Sequence, residues 1–201
     1  MHLDLLRHGE TTLSHTLRGH LDDVLTEQGW LQMQSTVEQH LAAQVQWDVI
    51  ISSPLQRCQK FAAVLAKQLE LPLLLNAEIK EMYFGDWEGI ATQTIYETEP
   101  ELLANFWQYP TRYQAPNGES LNQFQQRVMH GFDEIYMQMQ QHHWNRALVV
   151  THGGVIKLLT CLARHHKLDD LLSMSAELGK LYALNLTQIE NKIHFSEKTA
   201  T

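Results

Sequence analysis

Cysteine is nearly absent: the chain holds two, Cys58 and Cys161, far apart and each without a second cysteine nearby. That excludes a disulfide framework and a zinc knuckle, and it suits a reducing compartment. Basic charge is scarce too. Fifteen Lys plus Arg stand against twenty-three Asp plus Glu, a formal net charge of −8. A duplex-binding protein replaces phosphate counterions with a basic face, and no such excess is there to distribute, so nucleic acid is not an expected partner. No run approaches the eighteen or so consecutive apolar residues of a membrane-crossing helix, so no membrane association is expected. The opening Met1-His2-Leu3-Asp4-Leu5-Leu6 carries an acid inside its apolar stretch and no small-residue cleavage site, and so does not read as a signal peptide. A cytoplasmic protein is the expectation.

What is present is enough for one domain. A chain of 201 residues, 44% hydrophobic, can bury roughly 70% of its unfolded surface without staples. Short apolar runs alternate with segments of helical period, the pattern of an α/β protein with a mostly parallel sheet. Leu3-Asp4-Leu5-Leu6, Asp48-Val49-Ile50-Ile51 and Ala147-Leu148-Val149-Val150 each end at turn residues and suit strands buried on both faces. Leu181-Tyr182-Ala183-Leu184-Asn185-Leu186 and Ile193-His194-Phe195 read as later strands, with a hairpin around Asn191. Trp30, Met33, Val37 and Leu41 recur at helical spacing, as do Leu121, Phe124, Val128, Phe132, Ile135 and Met139. Ser53 before Pro54 predicts a helix over about 54–69, and another follows Gly153-Gly154. The stretch 83–119 is rich in aromatics and acids and is broken by Pro100, Pro110 and Pro116, so it reads as a helical lid inserted over one edge. The expected fold is a three-layer α/β/α sandwich spanning 1–201 as one domain.

Three strand-to-helix junctions deliver polar or cationic residues: Arg7 and His8, then Ser53 and Arg57, then His152. In an open parallel sheet the ligand crevice lies outside the carboxyl ends of the strands. Helix N-termini there present free N–H groups and partial positive charge, which favours an anion. Arg57 in the first turn of its helix is disfavoured by that dipole unless an anion sits beside it. Two arginines and two histidines at such ends predict a site for a phosphate-sized anion.

Leu6-Arg7-His8-Gly9-Glu10-Thr11 resembles the signature of the histidine phosphatase (phosphoglycerate-mutase-like) superfamily. The resemblance continues in order through Gly19-His20-Leu21-Asp22, Leu25-Thr26-Glu27-Gln28-Gly29 and Ser52-Ser53-Pro54-Leu55-Gln56-Arg57. It runs on through Glu81-Met82-Tyr83-Phe84-Gly85-Asp86-Trp87-Glu88-Gly89, Gly118-Glu119-Ser120 and Thr151-His152-Gly153-Gly154. Within the superfamily the segments around Arg57 and Trp87 most resemble the α-ribazole phosphatase branch of cobalamin synthesis. The resemblance implies a hydrolase of small phosphate esters, with no metal and no cofactor. It implies His8 as the nucleophile, Glu81 as the proton donor to the leaving group, and Arg7, Arg57 and His152 as phosphate-binding residues, His152 also counting as catalytic. Glu88 and Glu119 are rival acids. Ser14 stands where the family usually has Asn as a phosphate contact, and Val24 where it usually has Pro.

The groups themselves suit this chemistry. An imidazole attacks only when neutral, and neighbouring Arg7 and Arg57 disfavour protonation of His8. Guanidinium donors match the equatorial oxygens of a transferring phosphoryl group. From 82 to 120 the only basic residue is Arg112, against six acids, which disfavours a lid built for a second phosphate. Tyr83, Phe84, Trp87, Tyr96, Phe106, Trp107, Tyr109 and Tyr113 could stack on a flat leaving group such as a benzimidazole, or form the lid's own core. The alternatives are a phosphoglycerate mutase, a sugar-bisphosphate phosphatase, and a non-catalytic phospholigand-binding scaffold. Twelve histidines invite a metal reading, but His142-His143 and His165-His166 are adjacent pairs whose side chains diverge on a helix.

Overall fold

The computed structural model describes residues 1–197, so the last four residues of the expected 1–201 domain lie outside it. Six strands form one sheet in the order β3-β2-β4-β1-β5-β6. Strands β1 (His2–Arg7), β2 (Val49–Ser52), β3 (Leu73–Leu75) and β4 (Arg146–Thr151) pair in parallel. Strands β5 (Leu181–Ile189) and β6 (Lys192–Glu197) complete the sheet antiparallel. Glu190 and Asn191, both at positive φ, make the two-residue turn of that hairpin.

Side chains of a strand alternate between faces, and the two faces bury different helices. Leu3, Leu5, Val49, Ile51, Ala147 and Val149 pack with Phe124, Val128 and Phe132 of α5 (Leu121–Gln141) and with Val155, Ile156 and Leu159 of α6 (Gly153–Ala163). Leu6, Ile50, Leu148 and Val150 pack with Met33 and Val37 of α1 (Glu27–Ala42) and Phe61 and Leu65 of α2 (Gln56–Leu69). Three layers result, as the run-and-period pattern predicts. Asp4, the acid in the first strand, is buried, accepting from Trp47 Nε1 at 2.8 Å and pairing with Arg146 Nε at 2.7 Å.

Two expectations need adjusting. The second helix starts at Gln56 rather than Pro54, with no side-chain cap of its own. Asp22 substitutes, accepting from Gln56 N at 2.7 Å and from Gln56 Nε2 at 3.0 Å, while Ser53 is drawn towards His152. The short edge strand β3 is not among the runs singled out above; its residues are half-buried or exposed, so no periodic burial marks them.

The lid segment holds a 3₁₀ turn at Gly85–Trp87 and two short helices, α3 (Thr92–Thr98) and α4 (Pro100–Gln108). Trp87 and Phe106 meet edge to face at 5.5 Å and, with Ile95 and Leu103, form a small core continuous with that of the sheet. Among the described residues no helix is long and apolar enough to cross a membrane.

Candidate active site

The carboxyl ends of β1, β2 and β4 lie side by side, and a cavity of about 350 Å³ opens beyond them. Its volume suits a small-molecule ligand. Arg7, His8, Ser14, Arg57 and Glu81 all line it, brought together from four separate stretches of chain.

His8 follows β1 and is almost fully buried. Its backbone N–H bonds Thr151 O at 3.0 Å, and its ring Nδ1 lies 2.8 Å from Gly9 O. A carbonyl only accepts, so Nδ1 carries the proton and Nε2 keeps its lone pair. Burial, then the charges of Arg57 and Arg7, push the pKa of His8 well below the usual imidazole range. The ring is neutral near pH 7.

Arg57 is fully buried and gives Nη1 to Leu21 O at 2.9 Å and Nη2 to Gly19 O at 2.6 Å. Its Nε donates to His152 Nδ1 at 3.2 Å, which leaves the His152 proton on Nε2, 2.7 Å from Ser53 Oγ. The two histidine rings stand 5.3 Å apart at 60°. His152 thus sits beside His8, with both its nitrogens engaged by protein, one of them by Arg57 Nε. Burial, followed by the charge of Arg57, also holds its pKa well below the usual range.

Arg7 gives Nη1 to Ala176 O, while its Nε is buried with no partner. It lies against the start of α6, where a Cβ on Gly153 would come within 3.0 Å of Arg7 Cζ. Ser14 Oγ accepts from Thr11 N at 3.0 Å, so its own proton can face the cavity.

Glu81 sits on the same helix end. Gly154 N lies 3.1 Å from each carboxylate oxygen, and Met82 N donates to Oε1 at 2.9 Å. A Cβ at position 154 would stand 2.2 Å from Oε1, so a side chain there would displace the carboxylate from this position. The rival acids are engaged elsewhere. Glu119 takes Arg127 through Nε and Nη2, each at 2.8 Å. Glu88 accepts from His20 N, Leu21 N and Phe84 N, tying the lid to the loop after β1.

Sequence reasoning missed three residues. Arg18 and Lys157 also line the cavity. Arg127 reaches Glu78 O, Lys80 O and Glu81 O and so fixes the backbone that carries Glu81. For Arg18 the signal was its place directly before Gly19-His20; for Lys157, its place one turn beyond the Gly pair. The remaining wall is apolar: Leu17, Met82, Phe84, Phe106, Trp107 and Leu171 among others. Among the described residues no three His, Cys, Asp or Glu side chains cluster as a metal site would require. Burial raises the Cys58 thiol to about 12, so beside His152 it stays protonated.

A sequence profile of the histidine phosphatase superfamily (branch 1) matches residues 3–198. The adenosylcobalamin/alpha-ribazole phosphatase of Escherichia coli is 33% identical over 166 residues, 79% of this chain and 77% of that protein. The metal-independent phosphoserine phosphatase of Arabidopsis thaliana is 30% identical over 159 residues, 77% of this chain and 65% of that protein. The crystal structure of the alpha-ribazole phosphatase from Shigella flexneri superposes with a TM-score of 0.78 at 25% identity, covering 100% of both chains. The chain spans about half the length of several other curated relatives it matches. A neutral histidine between guanidinium groups, on a sheet of this order, agrees with that likeness from end to end: the chain is a phosphatase of the histidine phosphatase superfamily, branch 1.

Proposed function

We propose that the chain hydrolyses small phosphate monoesters through a phosphohistidine on His8, and that its substrate is α-ribazole phosphate. The observation that carries the mechanism is the Nδ1 contact of His8 with Gly9 O, which leaves an unprotonated Nε2 in the cavity beside Arg7 and Arg57. Nε2 attacks phosphorus in line, the P–Nε2 bond forms, and the ester P–O bond breaks. Glu81, bound at the start of α6 on the cavity wall, gives its proton to the departing oxygen. Water then attacks phosphorus, its proton passes to the Glu81 carboxylate, and the P–Nε2 bond breaks to release inorganic phosphate. Arg7 and Arg57 stabilise the charge on the equatorial oxygens, and His152 holds Arg57 in place.

The substrate reading is supported by the wall beside the reacting centre, where Phe84, Phe106 and Trp107 of the lid and Leu171 offer an apolar face to a flat leaving group. The lid's one cation, Arg112, lies over the Tyr109 ring and not on the cavity, which disfavours a bisphosphate. A second reading, an ester whose leaving group carries a carboxylate such as phosphoserine, is favoured by Lys157 on the cavity wall.

Alkaline denaturing quench of a reaction with labelled substrate should trap label on His8, and His8→Ala should lose at least about 10³-fold in kcat. Full activity of His8→Ala overturns the mechanism. Turnover of α-ribazole phosphate, phosphoserine, phosphoglycerate, fructose bisphosphate and an aryl phosphate, compared by kcat/KM, decides the substrate. A higher kcat/KM for phosphoserine replaces the first substrate reading with the second.

A further inference from the structure

The loop between β1 and α1 carries a third guanidinium to the cavity. Arg18 gives Nη1 to Leu13 O at 2.9 Å and, more weakly, to Thr16 O at 3.5 Å, which stretches its side chain across the loop. Its Nε is buried and has no hydrogen-bond partner. The described residues hold four buried side-chain polar atoms in that condition, and two of them are the Nε atoms of cavity-lining arginines, Arg7 and Arg18. A buried N–H without a protein acceptor is costly, and both of these guanidinium groups stand at one cavity, where an anion could meet them.

The charges around Arg18 point the same way. Arg57 and Arg7 line the same cavity, and burial, followed by the charge of Arg57, lowers the pKa of Arg18. Asp23 is the nearest opposing acid in effect, with Glu81 further behind, but Asp23 is already committed to Thr12 Oγ1, Leu13 N and Val24 N. One buried and two half-buried guanidinium groups at one cavity repel one another, and an anion between them relieves that repulsion. Much of Arg57, moreover, is spent on Gly19 O, Leu21 O and His152 Nδ1.

We propose that Arg18 is a phosphate-binding residue of this site, a third guanidinium that donates to an equatorial oxygen of the transferring phosphoryl group. The proposal rests on the phosphatase mechanism above and adds a ligand to it. Its effect is on the phosphoryl group common to every substrate, and not on the choice of leaving group.

Arg18→Gln and Arg18→Lys test it, with p-nitrophenyl phosphate as substrate and inorganic phosphate as competitive inhibitor. In Arg18→Gln the phosphate Ki should rise about 10-fold and kcat/KM fall about 10²-fold, with the charge-conserving Arg18→Lys between it and the parent. Arg18→Gln within twofold of the parent in both quantities overturns the proposal. Should the variants fail to fold, the parent protein still answers through the nitrogen-15 NMR signal of the Arg18 Nε–H. That signal should move downfield as inorganic phosphate saturates, and an unmoved signal at saturation overturns the proposal. Parent protein that neither turns over ester nor binds phosphate removes the phosphatase mechanism itself. Normal turnover with a silent Arg18 removes only the third guanidinium.

Discussion

At the scale of single residues, the site depends on keeping two imidazoles uncharged among guanidinium groups. His8 and His152 are buried, and both pKa values are pushed well below the usual range. An unfolded chain protonates the same rings near pH 6.5. Below that pH the unfolded state binds more protons than the folded one, so stability declines as pH falls. The slope reaches at most about 1.4 kcal/mol per pH unit for each ring, and the loss stops only where the folded rings themselves take up protons. Urea midpoints measured between pH 7.5 and pH 5 should therefore fall more steeply for the parent protein than for His8→Gln. Equal slopes would mean that His8 protonates in the fold as it does in the unfolded chain. The same depression keeps His8 uncharged in mild acid, so under the proposed mechanism His8 should contribute no acid limb to kcat/KM near pH 6.5.

Among the elements, the lid serves two purposes that its aromatic composition alone could not separate. Trp87 is buried in the lid's own core, Phe106 is buried there and also lines the cavity, and Trp107 is 38% exposed and reaches the cavity. Trp107→Ala should thus cost little stability but should lower kcat/KM for an ester with a flat aromatic leaving group by about 10-fold or more, leaving that for phosphoserine within about twofold. Equal losses on both substrates would make the ring structural. Strands β1, β2 and β4 were legible as short continuous apolar runs buried on both faces, and the helices by their period; Leu3, Leu5 and Leu6 belong to two faces by position alone. Arg7, His8, Arg57 and Glu81 were legible because each stands in an ordered motif. What was not legible depends on long-range contact. Ser53 reads as a helix cap until His152, 99 residues later, takes its hydroxyl, and Asp22 then caps α2 across a separation of 34. Arg18 and Arg127 look like ordinary surface arginines until the chain closes around them.

For the molecule as a whole, the charge distribution is uneven in a way that composition hides. The chain carries a formal net charge of −8, yet Arg7, Arg18, Arg57 and Lys157 line a cavity whose one acid among the described residues is Glu81. Low-dielectric walls concentrate that local positive field, which draws an anionic ester in against the overall charge. The same arrangement makes the empty fold less stable than the filled one, because Glu81 and Asp23 offset only part of the repulsion among the guanidinium groups and a bound anion relieves more of it. Ligand that binds the folded state alone stabilises it by about 2.7 kcal/mol at a hundredfold excess over Kd. For a chain of this length that corresponds to a rise in Tm of about 5–10 °C. Inorganic phosphate should produce this rise with a saturating concentration dependence. Sodium chloride at matched ionic strength should produce little of it, since salt screens exposed charges far better than buried ones. If the two salts raise Tm equally, the stabilisation comes from general screening, and the cavity is not a phosphate site.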